Sequence, residues 1–437
     1  MTRRSEQLLF RWAPSLAGAG LYLLFAGLWL YAPQAYSRLL LVTGAAPLEA
    51  HPFGDFAAIL QAGACWREGV NVYAPSVCMH GGVYNYSPFL LRAAYLPIGL
   101  QDQMPGGIIL GVLFLAALAW LPPAQSRAEL LTRICATCSE TVIFALERAN
   151  FDVVIFLLVM LSVMLLLTNR WAALAGYVVL LFAAAMKFYP AALLALVLRE
   201  RRRQIFIVSA AIFVCAVGYM LAFSRGTAAA ISILPGGMSF RGVFGALNLP
   251  FGLVLVHFLP VFTLHPNLAQ YLSVVDRPYA LAYKTLATGI LAFAAIIAAG
   301  MAAPRYTQTF KNLGQKQSLL LLAGAITITF CFFIAQNITY RAIFMLLTLP
   351  GLWEMANQSG DFARHRILLL ICAILFLLWV DFFGDLVGVS AIFLLKPSQQ
   401  AYPEFAFWLF AQCVWWWVVV QFCAIICCFF RDSAVRV

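Results

Sequence analysis

The sequence predicts an all-α, polytopic integral membrane protein, and three observations carry that prediction. Hydrophobic residues make up 64% of the 437 and charged residues only 10%, and the mean hydropathy of +0.90 lies outside the range of soluble domains. Charge-free runs recur at 12–37, 103–126, 153–169, 171–186, 204–224, 285–304, 317–340 and 405–430. Several reach the roughly 20 residues that a helix needs to cross the bilayer core. They are continuous rather than alternating, which points to helices and excludes a barrel. Most of the 28 Lys and Arg residues also fall on one side if the spans alternate from a cytoplasmic N-terminus. The "RERRR" block at 199–203, Arg127 with Arg133, Arg305 with Lys311 and Lys316, Arg364 with Arg366 and Arg431 with Arg436 all lie inward, as the positive-inside rule requires. The net charge of +11 is therefore a matter of topology, and no soluble basic face exists for nucleic acid.

Taken in order, the runs give one membrane domain over 1–437, of about 12 spans with a range of 10 to 13. The first run follows Arg3, Arg4 and Arg11; it is too long for a signal-peptide core, has no small-x-small cleavage site and reads as an uncleaved span near 14–33. A first outward loop, 34–104, follows. Spans are expected near 105–121, 134–147, 151–168, 171–186, 188–199 and 205–223, then a second outward segment, 224–279, and spans near 280–302, 317–335, 341–357, 366–384 and 404–430. The run between Lys187 and Arg199 is too short to cross as a straight helix. Either the helices here are short around a cavity or the segment is re-entrant; both versions place Lys187 against a pocket.

The first outward loop reads as ordered. "HPFGD" supplies a turn through Pro52 and Gly54. "DFAAILQAGACWREG" is a short amphipathic helix suited to the membrane interface, with Asp55 near its N-terminus as a cap. Another short helix starts after Ser87-Pro88. Most of the 11 cysteines lie in apolar runs and behave as small hydrophobes. Cys65 and Cys78 differ: both lie in the outward loop, where an oxidising compartment permits a bridge, although spacing leaves open whether their backbones approach. "CATC" (Cys135, Cys138) has no second pair for zinc.

Polar clusters stand at the predicted outer ends of spans: "YNY" (Tyr84 to Tyr86), "ERANFD" (Glu147 to Asp152), "KFYP" (Lys187 to Pro190), "SFRG" (Ser239 to Gly242) and "QNITYR" (Gln336 to Arg341). Ionisable groups at membrane depth usually face a cavity, so their convergence with Asp55 implies a binding site. Each residue also has a plainer role. Asp55 alone is a helix cap; Lys187 can snorkel beside Tyr189, and Arg341 can anchor with Tyr340 at the interface. Tyr73, Tyr84 and Tyr86 suit an aromatic belt as well as a sugar platform. Glu140 reads as a charge paired with Arg133. His51 and Glu49 are too few for a metal, and no metal or cofactor is expected.

"GDF", then "REGVNVYAP", then "YNYSPFLLRAAYLP" resembles the first outward loop of the family-87 glycosyltransferases of the GT-C superfamily. "LAGYVVLLFAAAMKFYPAALLALVLRERRR" is similar to that family's Ala-Gly…Lys-x-x-Pro segment before a basic cytoplasmic turn. The matches cover roughly 50–205. Two departures stand out: Tyr86-Ser87-Pro88 replaces Tyr-Pro-Pro, and "ERANFD" stands where the family has a Gly-Gln-x-Asn turn, keeping Asn150 but differing at Arg148 and Asp152. The resemblance implies a GT-C-like bundle in the cytoplasmic membrane, with both termini in the cytoplasm and its site facing the periplasm or exterior. It implies transfer of a sugar, with inversion, from a polyprenyl-phosphate donor to a lipid- or glycan-linked acceptor. Asp55 is then the general base. Lys187, Arg341, Arg241 and Arg148 are candidates for the donor phosphates. His51, Tyr73, Tyr84, Tyr86, Asn150, Asp152, Tyr189, Gln336, Asn337 and Tyr340 are candidates for the sugar or acceptor. The competing classes are a flippase or transporter of a lipid-linked saccharide, which would need openings on both faces, and a lipid-glycan ligase or polymerase. The basic residues Arg225, Arg241, His257, His265 and Arg277 in 224–279 suit the latter.

Overall fold

The computed structural model describes residues 3–42, 52–233, 242–258, 278–396 and 399–436. The chain starts with α1 (Arg3–Tyr31) and α2 (Pro33–Val42). The first long loop folds into α3 (Gly54–Arg67) and 3₁₀ helices at Leu90–Tyr95 and Leu100–Asp102. Then come α4 (Gln103–Leu118), α5 (Arg127–Thr137), α6 (Glu140–Glu147), α7 (Phe151–Leu166), α8 (Arg170–Met186), a 3₁₀ helix at Tyr189–Arg199, and α9 (Arg202–Ser232). After β1 (Val243–Phe244) and α10 (Asn248–Phe258) follow α11 (Pro278–Ala302), α12 (Pro304–Lys311) and α13 (Gln315–Ile334). β2 (Asn337–Ile338), a 3₁₀ helix at Thr339–Leu347, α14 (Leu349–Asn357), α15 (Asp361–Leu378), α16 (Val380–Leu394) and α17 (Ala401–Arg436) complete the chain.

The protein is a polytopic all-α membrane protein. Six helices among the described residues are long and apolar enough to cross a bilayer, and up to eight spans result if two bent pairs each count as one. Those pairs are α6 with α7, bent by 108°, and α15 with α16, bent by 64°. The count is below the expected 12 because several apolar runs do not form one long helix. The run at 134–147 is divided between α5 and α6, 188–199 is a 3₁₀ helix, and 341–357 is part 3₁₀ and part α14. Hydropathy registers the apolar letters but not the breaks between them.

The main core gathers α7, α8, α13, α15, α17 and the two long 3₁₀ helices. α13 is apolar all round and 67% of its spanning window is buried, which marks a central helix. α9 is the opposite case, with 6% of its window buried. α3 packs on Leu90–Tyr95 and α4. Phe53, just before α3, lies against Gly107 of α4, where a Cβ would come 2.3 Å from the Phe53 ring. That close approach fixes where α3 begins, and so where Asp55 sits.

β1 and β2 pair antiparallel, Val243 opposite Ile338 and Phe244 opposite Asn337. Asp381 at the start of α16 holds this pair, accepting from Thr339 Oγ1 (2.6 Å) and Gly242 N (3.0 Å). Glu140 does not pair with Arg133. Its Oε2 accepts from the backbone N–H groups of Asp381 (3.2 Å) and Phe382 (3.3 Å), donors that a helix N-terminus leaves open. Arg133 instead pairs with Glu129, one turn away. The interhelical contact wins because a fully buried carboxylate needs donors where it lies.

Candidate functional site

The start of α3 rests on the turn between α6 and α7. Phe53, in the left-handed region at φ 68, donates its backbone N–H to Glu147 O at 2.6 Å, and Phe56 N donates to Arg148 O at 3.4 Å. Asp55 does not cap its own helix, which has no side-chain cap. Its Oδ1 accepts from Arg148 Nε at 3.0 Å and its Oδ2 from Asn150 Nδ2 at 2.5 Å. An exposed cap contributes about 1 kcal/mol, whereas a charge-assisted pair at a part-buried position is stronger. The side chain follows the stronger partners.

The turn itself is built from "ERANFD". Ala149 takes φ 42, which reverses the chain after α6. Asn150 N donates to Ala145 O at 3.0 Å, and Asn150 Oδ1 accepts from Asp152 N at 2.8 Å, capping α7, a position where Asn is favoured. One amide therefore serves two acidic residues: its oxygen holds the backbone of Asp152 and its nitrogen holds the carboxylate of Asp55.

Asp152 lies inside the protein with its side chain 0% exposed. Its Oδ1 accepts from Lys187 Nζ (2.6 Å) and Tyr189 Oη (2.6 Å), and its Oδ2 from Arg341 Nε (3.1 Å). Arg341 also donates through Nη1 to Asn337 Oδ1, and Asn337 Nδ2 donates to Cys331 O and Ala335 O. Lys187 is the extended residue between α8 and the 3₁₀ helix. It is buried against Asp152 rather than reaching for the interface, with Nζ 5.0 Å from the Tyr86 ring centroid. Arg341 Cζ stands 4.9 Å from the Tyr189 centroid. Two cations and a phenol on one buried carboxylate satisfy it fully, as burial demands. Together the two clusters hold three cations, Arg148, Lys187 and Arg341, against two carboxylates.

The structure thus joins Asp55, Arg148, Asn150, Asp152, Lys187, Tyr189, Asn337 and Arg341 in one hydrogen-bonded region. Tyr86 adjoins it through Lys187 and through Phe151, at 6.3 Å between ring centroids. Tyr340 is buried against Phe144, 5.4 Å away, whose ring also faces Arg148. Tyr84 is one ring further out, 5.6 Å from Tyr86, and its hydroxyl donates to Ser87 O. Tyr73 lies beyond Tyr84 at 5.7 Å. Burial, with the nearby Asp55 charge, pushes the Tyr86 phenol well above its ordinary pKa; burial does the same for Tyr84. Both stay neutral hydroxyls at physiological pH. Gln336 turns away, donating to Asn248 Oδ1 at 2.7 Å. His51 and Arg241 lie outside the described residues. Cys65 and Cys78 are joined in a disulfide with their Cα atoms 6.0 Å apart.

Three features escaped the sequence reading. Tyr36 Oη donates to Glu147 Oε1 at 3.2 Å, tying α2 to the same turn. Asp381 anchors the strand pair that presents Asn337 and Arg341. A cavity of about 420 Å³, lined among others by Tyr22, Trp29, Phe53, Ile108, Leu146 and Glu147, runs between α1, α4 and α6. Of these, only the acidic Asp381 inside an apolar run left a sequence signal. Among the described residues no group of three or more His, Cys, Asp or Glu side chains could hold a metal ion. No family model matches the chain, and none of the curated proteins or solved structures compared with it does.

Proposed function

We propose that the chain is an integral membrane glycosyltransferase of GT-C-like architecture. It moves a sugar from a polyprenyl-phosphate donor to a lipid- or glycan-linked acceptor on the outer face of the cytoplasmic membrane. The observation that carries this reading is a partly open carboxylate beside a cluster of cations. Asp55, its side chain 17% exposed, is aimed by Arg148 and Asn150 next to the cluster that holds Lys187 and Arg341. A carboxylate offers roughly four lone-pair sites, so two remain to take the proton of an acceptor hydroxyl. As that proton moves to Asp55, the acceptor oxygen bonds to C1, the C1–O bond to phosphate breaks, and C1 inverts. The departing lipid phosphate gathers negative charge, which the spare N–H groups of Lys187 and Arg341 stabilise. Tyr86 and Tyr340 offer faces and hydroxyls to the sugar, while the Tyr189 hydroxyl stays on Asp152. The apolar cavity bordered by Phe53 and Glu147 supports the reading from another side, since a lipid-linked substrate needs room for its chain close to the reacting group.

The experiment is transfer in proteoliposomes from radiolabelled polyprenyl-phosphate mannose, arabinose, glucose or galactose, with cell-lipid extract as acceptor. Asp55→Asn is expected to lower the rate by about 10²- to 10⁴-fold while donor binding persists. A near-wild-type rate in Asp55→Asn would remove the base from this residue. If the wild type consumes none of the donors, the enzymatic reading fails and translocation of a lipid-linked saccharide becomes the function to assay.

A further inference from the structure

A second cavity, about 290 Å³ in volume, lies where the folded loop meets the end of α9. Its wall includes Trp66, Tyr73, Arg92, Phe223, Ser224 and Arg225. Gly226 makes the junction: a Cβ there would come 2.8 Å from Pro88 Cβ, so only a glycine lets α9 lie this close to the loop. The bridge from Cys65, beside Trp66, to Cys78 ties the other wall.

Arg92 and Arg225 are exposed, and neither forms an ion pair with a carboxylate among the described residues. An interfacial arginine that merely snorkels extends freely into water. Arg92 does not: its guanidinium carbon lies 5.2 Å from the Trp66 centroid, 5.6 Å from Phe223 and 5.9 Å from Tyr95. Rings on several sides hold the fork in place, and such a fork suits bidentate binding of phosphate oxygens. The hydroxyl of Tyr73 is buried without a hydrogen-bond partner, and burial keeps it protonated. The medium beside the cavity is also defined. α9 is long and apolar enough to cross a membrane, with 6% of its window buried in protein, and Leu221, on the cavity wall, is 82% exposed. A long apolar face this bare of protein suits contact with lipid.

We propose that this cavity binds the phosphodiester headgroup of an anionic phospholipid. Arg92 and Arg225 engage the phosphate oxygens, the Tyr73 and Ser224 hydroxyls donate hydrogen bonds to the headgroup, and the acyl chains lie along α9. The site is separate from Asp55 and does not depend on sugar transfer.

The test uses the full chain purified in a neutral detergent, titrated with phosphatidylglycerol and phosphatidylcholine and read by native mass spectrometry as bound lipid per protein. The expected result is a preference for phosphatidylglycerol of about tenfold or more, abolished in the double variant Arg92→Gln/Arg225→Gln. Equal binding of the two lipids overturns the proposal, as does a preference that survives the double substitution. Inorganic phosphate is the competitor arm: displacement of phosphatidylglycerol by millimolar phosphate would show a site for free phosphate and overturn the lipid assignment. Should the double variant fold poorly, by its unfolding temperature in detergent, Arg225→Gln alone carries the same comparison, because that side chain is exposed and unpaired.

Discussion

Asp55 and Asp152 meet the same turn from opposite sides and are held in different ways. Asp152 has two cations and a phenol and is sealed from solvent. Asp55 has one cation and one amide and keeps an open side. The first arrangement leaves no unused bonding capacity at Oδ1 and no route for a substrate proton; its role is to join α7, α8 and the Thr339–Leu347 helix. The second is oriented but unfinished, which is what a group that must meet a substrate requires. Acidity of residue type does not separate the two; the count of partners and the remaining exposure do.

Asp152→Asn would break this comparison most severely. It leaves Lys187 buried and Arg341 partly buried without their anion, and removing one partner of a buried pair costs about 3–5 kcal/mol. Thermal unfolding in detergent is expected to fall by many degrees, with transfer lost alongside. Asp55→Asn sharpens the contrast: it removes chemistry with a smaller loss of stability than Asp152→Asn, because the asparagine oxygen can still accept from the buried Arg148. If both variants lose the same stability, the division between structural and reactive carboxylate is wrong. The double variant Cys65→Ser/Cys78→Ser opens a loop whose bridge spans 13 residues, for which chain entropy gives about 3 kcal/mol. That loss should concentrate in α3 and the tyrosines that follow, visible as faster amide exchange there and unchanged exchange in α13. The smallest effect is expected from Arg148→Ala, which frees one oxygen of Asp55 but leaves the Asn150 bond. Transfer should fall by about tenfold through lost orientation, a cost of roughly 1.4 kcal/mol, with donor affinity little changed. A fall as deep as that of Asp55→Asn would make the arginine part of the reacting set.

The sequence made the class of the molecule legible because membrane depth leaves a mark in composition that no packing detail can erase. It also brought out the polar clusters one by one: "YNY", "ERANFD", "KFYP" and "QNITYR" all reach the same region, while Arg241 of "SFRG" lies outside the described residues. The pairing among them was not legible. Asp55 meets Arg148 across 93 positions and Arg341 meets Asp152 across 189, distances over which one sequence carries no register. The turn that departs from the resembling family's pattern turned out to supply three of the interacting side chains, Arg148, Asn150 and Asp152. The number of spans was less legible for a related reason. A 3₁₀ segment such as Tyr189–Arg199 and a crossing helix are equally apolar, and only the path of the backbone tells them apart.

The amide of Asn150 has a consequence for how this turn can vary. Turned end for end, it would set its oxygen against the Asp55 carboxylate and its NH₂ against the Asp152 N–H, so both contacts would repel. Aspartate, its isostere, would keep the acceptor but place an anion 2.5 Å from another; leucine, of similar shape, would supply neither function. Glutamine has the right chemistry but is one methylene too long to cap its own helix. Position 150 is thus a lock with a single fitting letter, narrower in its tolerance than Arg148 two residues before it, whose long side chain can reach a partner from more than one direction.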